Sequence, residues 1–177
     1  MPVDENGVVN SMASLVLAGI AALISVLQTT WFSDWMIGGA RPDLVLIVLT
    51  VSAHHSGVQR GQLSGFAVGV VEDILSIAPL GFYAVIRLAH SAIAGLSHGT
   101  VRAESLLTPM LLVGFATIIK QLAAAAFSAV IGVDGIGGAV FSLATAVELG
   151  LNTVIAPVGF WLLNPVIRRF SRRGGFA

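Results

Sequence analysis

The charged side chains embedded in apolar runs, Glu72, Asp73, Arg87, Lys120 and Glu148, are where this chain could do chemistry. An ionised group at the centre of a membrane helix costs roughly 2.5–3.5 kcal/mol on insertion scales, so each needs a partner or a task. Asp73 and Glu72 close one apolar run, and Arg87 lies one and a half turns into the next. The turn Ala78-Pro79-Leu80-Gly81 joins the two runs, with Pro79 stopping one helix and Gly81 permitting the reversal. At the helical rise, Arg87 and the two carboxylates reach comparable depth, which predicts an Asp73–Arg87 or Glu72–Arg87 pair. Asp43, after Arg41-Pro42, reaches the same layer and suits a helix N-terminus. Simple anchoring, with these side chains snorkelling to water, is the plain alternative; a ligand site is the sharper one. Lys120 and Glu148 each fall near the middle of a long apolar segment. They predict a buried pair, with Asn152 one turn from Glu148 as a further partner. Such a pair would set helix register in a scaffold, or handle substrate or protons in a transporter.

Catalytic constellations are missing. There is no His-Glu-x-x-His, no cysteine and no phosphate-cradling Gly-rich loop with Lys-Ser/Thr. Ser64-Gly65 lacks the earlier glycine of an intramembrane serine nucleophile motif. His54, His55 and His98 fall near predicted helix ends and His90 at mid-helix, which suits packing or interfacial roles better than a metal site. No enzyme, cofactor or metal is expected, and without cysteine the redox compartment stays open.

The elements that position these residues are membrane helices. Apolar residues form 56% of the 177 and charged residues only 10%, with a mean hydropathy of +0.93. A soluble domain carries roughly 25% charged residues, so a soluble enzyme is excluded. Nine basic and nine acidic side chains cancel, which argues against nucleic-acid binding. The apolar runs predict an all-α bundle of about six transmembrane helices, 12–31, 44–59, 61–77, 82–98, 105–131 and 138–163, in a single domain 1–177. Helices two to four are short, so four to six full spans is the expected range. An N-tail 1–11 and a basic C-tail 164–177 flank them. The first run has Asp4 and Glu5 where a cleavable signal would carry positive charge, so it is expected to be retained. Arg60, Arg102, Arg168, Arg169, Arg172 and Arg173 fall on one side and Arg41 on the other, which predicts cytoplasmic termini. Trp31, Phe32, Trp35, Phe82 and Tyr83 are expected to form the outer aromatic belt, with Trp161 and Phe170 at the inner one. Pro157 is expected to open or kink the last helix locally.

Gly57, Gly61, Gly65 and Gly69 stand four residues apart, with Asp73 on the next step. This spacing keeps them on one face and makes a groove for close backbone approach. Its occupant is either another helix of the same chain or a partner's.

Arg41-Pro42-Asp43-Leu44, then Arg60-Gly61-x-x-x-Gly65-Phe66-x-x-Gly69-x-x-x-Asp73, then Pro79-Leu80-Gly81-Phe82, resembles the bacterial rod shape-determining protein MreD family. The likeness runs over roughly 41–90, and length and span count suit the rest. The Ala/Gly-rich C-terminal third, with Lys120 and Glu148, follows no pattern of that family. The resemblance implies a non-enzymatic inner-membrane scaffold of the cell-elongation complex, supporting side-wall peptidoglycan synthesis. It implies an MreC-like single-span periplasmic partner, with MreB, RodA and a class B penicillin-binding transpeptidase in the wider complex and membrane lipid around it. The family is also similar in fold to substrate-binding subunits of energy-coupling-factor vitamin transporters, and such a subunit is the alternative expectation.

Overall fold

A computed structural model of the chain describes residues 5–30, 36, 38–100, 106–132 and 142–172, the side chains of 5–12, 131 and 170–172 excepted. Within them lie six helices: α1 (Glu5–Thr30), α2 (Leu44–Ser56), α3 (Val58–Leu75), α4 (Phe82–Gly95), α5 (Leu107–Ile131) and α6 (Leu143–Arg172). Three contain stretches long and apolar enough to cross a membrane: Ala13–Thr30, Leu107–Val130 and Leu143–Arg169.

The polarity of the molecule is inverted relative to a soluble protein. Leu15, Leu23, Leu111, Phe115, Val154 and Trp161 point outwards, while Glu72, Asp73, Arg87, His90 and Asn152 are buried. A water-soluble monomer does not expose apolar surface on this scale. Lipid removes that penalty and makes polar groups seek one another inside.

α2 is the centre. It is apolar nearly all round, and every residue from Val45 to His54 is buried. A helix of that composition must be surrounded, and α2 packs against all five others. Leu17 and Ala21 of α1, Val113 and Ala116 of α5, and Ala156 and Phe160 of α6 close the core around it. With 13 and 14 residues, α2 and α4 are about 20 Å long, against ~30 Å of hydrocarbon.

α3 and α4 form the most extensive helix pair, and the glycines explain why. A Cβ on Gly69 would lie 2.5 Å from Ala84 Cα, and one on Gly65 2.5 Å from the Arg87 carbonyl oxygen. On Gly61 it would lie 2.8 Å from Ala53 Cβ of α2. The groove of Gly61, Gly65 and Gly69 is therefore filled from within the chain: of the two occupants expected, the chain's own helix is the one found there, and no partner helix enters. Gly57, the next step of the ladder, also faces α4: a Cβ on Gly95 would lie 2.9 Å from its carbonyl carbon. Gly57 is the single residue between α2 and α3, with a positive φ of 81°, a conformation glycine adopts without strain.

The helix limits differ from expectation in physically sensible ways. α3 begins at Val58 because Gly57 breaks the preceding helix, and α2 accordingly ends at Ser56 rather than 59. The N-tail is helical from Glu5 and the C-tail through Arg172, with Pro157 and Pro165 both inside α6. A proline removes one N–H and crowds one carbonyl, which a helix held by neighbours tolerates. Phe82 is buried against Phe127, with ring centroids 5.7 Å apart, so it belongs to the core and not to a belt. Trp31, Phe32, Asp34, Trp35, Arg102, Asp134 and Arg173, and the side chains of Phe170 and Arg172, lie outside what is described.

Candidate functional site

Asp43 opens α2. Its Oδ1 accepts the Leu46 N–H at 2.9 Å, an N-cap that fixes the carboxylate at the positive end of the helix. Its other contacts make it the hub of the molecule. Arg87 donates from Nη1 to Asp43 Oδ2 at 2.8 Å and from Nη2 to Oδ1 at 3.1 Å. On its other edge Arg87 donates from Nε to Glu72 Oε2 at 2.6 Å and from Nη2 to Oε1 at 2.7 Å. The planar guanidinium is thus held by two carboxylates, an arrangement its fork of donors suits.

Lys120 extends the chain. Its Nζ donates to Asp43 Oδ2 at 3.0 Å and also to Glu148 Oε1. Glu148 Oε2 in turn accepts from Gln121 Nε2 at 2.8 Å. Five charges, Glu72, Arg87, Asp43, Lys120 and Glu148, therefore alternate in sign across α3, α4, α2, α5 and α6. Each helix but α1 contributes one. α1 joins through Gln28, whose Nε2 donates to the Pro42 carbonyl at 2.8 Å.

Asp73 does not pair with Arg87. Its carboxylate accepts the backbone N–H groups of Gly81 (3.0 Å), Tyr83 (2.8 Å) and Ala84 (3.2 Å). The physical reason is the 100° step between adjacent helical residues. Glu72 and Asp73 face different ways, and Asp73 meets the unbonded N–H groups at the start of α4. Gly81, with φ +94°, is the N-cap of α4 but has no side chain to cap with, and Asp73 does that work from α3. The Pro79–Gly81 turn brings this about, with the Phe82 N–H on the Pro79 carbonyl at 3.0 Å. Replacing Asp73 by Ala should leave buried donors unbonded and cost about 1–3 kcal/mol. Thermal unfolding of the purified protein in detergent reads this; an unchanged midpoint would refute the capping role.

Asn152 was expected beside Glu148 but serves Asp43 instead. Its Oδ1 accepts the Asp43 N–H at 2.7 Å, and its Nδ2 donates to Thr117 Oγ1 at 3.2 Å. Gln28 and Gln121 are participants that charge-based reading passes over, and Asn152 was read with a different partner. Their signal was their type: amides in apolar helices need partners as charges do, at lower cost.

None of the histidines is hydrogen-bonded to the ion chain. His90 Nε2 meets Thr50 Oγ1 at 3.2 Å, His54 Nδ1 meets Ser97 Oγ at 2.7 Å, and His98 Nδ1 meets the His54 carbonyl at 2.9 Å. His55 Nε2 meets Asn164 Oδ1 at 3.1 Å. That contact brings the end of α2 and the C-terminal part of α6 together. Arg60, just past Gly57, and Arg168 and Arg169 therefore lie towards one end of the bundle, opposite Arg41 and the ion chain. Among the described residues no group of three or more His, Asp or Glu is arranged for a metal.

A cavity of about 440 Å³ opens over the ion chain. Arg41, Asp43, Glu72, Arg87, Lys120 and Glu148 line it.

No curated protein and no solved structure matches the chain. A family does: the one described as rod shape-determining protein MreD matches residues 7–166. The match reaches well beyond the 41–90 stretch on both sides and takes in Lys120, Glu148 and nearly all of the six-helix array. The chain belongs to the MreD family, rod shape-determining membrane proteins of bacteria.

Proposed function

We propose that this protein is a non-enzymatic scaffold subunit of the bacterial cell-elongation complex. It binds an MreC-like single-span periplasmic partner and, through it, supports side-wall peptidoglycan synthesis by MreB, RodA and a class B penicillin-binding transpeptidase. The observation that carries this reading is the family match over residues 7–166. The site's chemistry agrees with it. Five buried or half-buried charges engage one another across five helices, which suits a part that fixes helix positions. With the glycine groove occupied by α4, the partner binds elsewhere on the bundle.

In this reading the chain is one domain of the inner membrane with all six helices crossing or nearly crossing it and both termini cytoplasmic. The support is the gathering of Arg60, Arg168 and Arg169 at one end. The likeness in fold to energy-coupling-factor substrate-binding subunits remains part of the proposal, whereas their transport function has no observation in its favour here.

Depletion of the protein in a rod-shaped host tests the reading, with cell shape imaged and the tagged protein co-purified from membranes. Rounded cells and recovery of a single-span periplasmic coiled-coil protein are expected. Cells that stay rod-shaped, with no cell-wall partner recovered, would overturn it.

A further inference from the structure

The cavity beside the ion chain is built to hold something polar. Its volume of about 440 Å³ falls in the ~300–1,000 Å³ range of small-molecule sites. Ser25 of α1 lines it, is 1% exposed, and its hydroxyl has no hydrogen-bond partner. A buried hydroxyl left unbonded costs free energy that a ligand or water oxygen would recover. Lys120, on the same lining, uses two of its three N–H groups, on Asp43 and Glu148.

The lining also constrains the ligand's charge. Among the described lining residues, three cations, Arg41, Arg87 and Lys120, stand with three carboxylates, Asp43, Glu72 and Glu148. In a low-dielectric setting, a ligand with net charge would unbalance that set. A purely apolar ligand would leave Ser25 and Lys120 unsatisfied. What fits is a net-neutral group offering both anionic oxygens and N–H donors. The oxygens serve Ser25 and Lys120, which both line the cavity. The donors have acceptors waiting: each carboxylate oxygen of Glu72 and Glu148 accepts one bond and retains a lone pair. A primary ammonium can use these; a quaternary ammonium cannot. Met36, Ala40 and Ala144 supply apolar wall for the remainder of an amphiphile.

We propose that this cavity binds a zwitterionic group combining a phosphate with a primary ammonium, as in an ethanolamine phosphate headgroup. The source is a membrane lipid or its water-soluble headgroup, and the two are separable by experiment. The full-length protein is delipidated and reconstituted in nanodiscs of phosphatidylcholine, phosphatidylglycerol, or phosphatidylcholine with graded phosphatidylethanolamine. Thermal unfolding and native mass spectrometry are then recorded. Phosphatidylethanolamine is expected to raise the unfolding midpoint saturably and to be retained one per protein, in preference to the other two lipids. Ser25→Ala and Ser25→Leu should each weaken this response, the latter by about tenfold because it also fills the cavity. Their midpoints in pure phosphatidylcholine show whether each variant folds; Ser25→Ala keeps the test decisive if Ser25→Leu does not. If soluble glycerophosphoethanolamine produces the same shift in phosphatidylcholine nanodiscs, the headgroup is bound as a free solute. If it does not while the lipid does, the ligand is the lipid. Equal responses to all three lipids, or an undiminished response in Ser25→Ala and Ser25→Leu, would overturn the proposal.

Discussion

Replacing Arg87 by Met should nearly abolish accumulation of folded protein. Arg87 is 4% exposed and makes four charge-assisted hydrogen bonds, two to Glu72 and two to Asp43. Removing one partner from a buried pair typically costs about 3–5 kcal/mol, because the remaining charge is stranded. Here Glu72 is stranded, and Asp43 loses two bonds while keeping Lys120 and the Leu46 N–H. Since folded domains are stable by only about 5–15 kcal/mol, the loss is comparable to the whole margin. Arg87→Lys keeps the charge but not the two-edged fork, so it should fall between Met and the native residue. The triple variant Arg87→Met, Asp43→Asn, Glu72→Gln should recover part of the loss, since no carboxylate in it is left facing Met. Asn also retains the capacity to cap α2. Yield of monodisperse protein and its unfolding midpoint in detergent measure all three. A wild-type midpoint for Arg87→Met would show that Glu72 and Asp43 do not depend on it.

This network also shows how far the sequence could be read. The membrane class followed from charge scarcity, because 10% charged residues cannot solvate a compact chain. The turn at Pro79–Gly81 and the Asp43 position at a helix start followed from local backbone chemistry, which acts within a few residues. That Lys120 and Glu148 fall at matching depth followed from counting along two antiparallel helices. What could not be read was azimuth, the direction each side chain faces around its helix. Glu72 and Asp73 are adjacent in sequence, yet one meets Arg87 and the other the amides of α4. Depth alone also divided the outer layer from the Lys120–Glu148 pair, whereas Asp43 joins them through Lys120. Only the packing of α2 between α4 and α5 brings those residues within reach. The glycine ladder was legible as a surface for close approach, but four-residue spacing carries no information about which helix approaches.

The ion chain and the glycine ladder are two parts of one interface. Glu72 and Asp73, one turn beyond Gly69 on α3, both bond to α4, the helix that Gly61, Gly65 and Gly69 approach. Hydrogen bonds at 2.6–3.2 Å tolerate little displacement. The spacing of the two backbones therefore decides whether the polar contacts can form at all. Chemistry at one end of α3 depends on the absence of side chains further along it.

From this dependence follows the second large effect: adding one methyl group at Gly69 should damage the ion chain without touching any charge. In Gly69→Ala the new Cβ would lie 2.5 Å from Ala84 Cα and 2.6 Å from the Tyr83 carbonyl oxygen. Both are backbone atoms, so relief requires α3 and α4 to move apart. Overpacking of a close interface costs about 1–3 kcal/mol by itself, and lengthening the Asp73 and Glu72 contacts adds to it. Gly65→Ala should behave alike, with its Cβ 2.5 Å from the Arg87 carbonyl oxygen. Gly19 and Gly150 are the controls. They are helical, with nothing within 4 Å of an added Cβ, and Ala is the better helix former by about 1 kcal/mol. The same substitution should thus lower the unfolding midpoint at 65 and 69 and hold or raise it at 19 and 150. Arg87→Lys in the Gly69→Ala background then separates packing from polar loss. If the α3–α4 contacts are already stretched, the second change should cost less than it does alone. Strict additivity of the two would mean that Arg87 keeps its partners when the helices are forced apart, and the coupling between ladder and ion chain would be refuted.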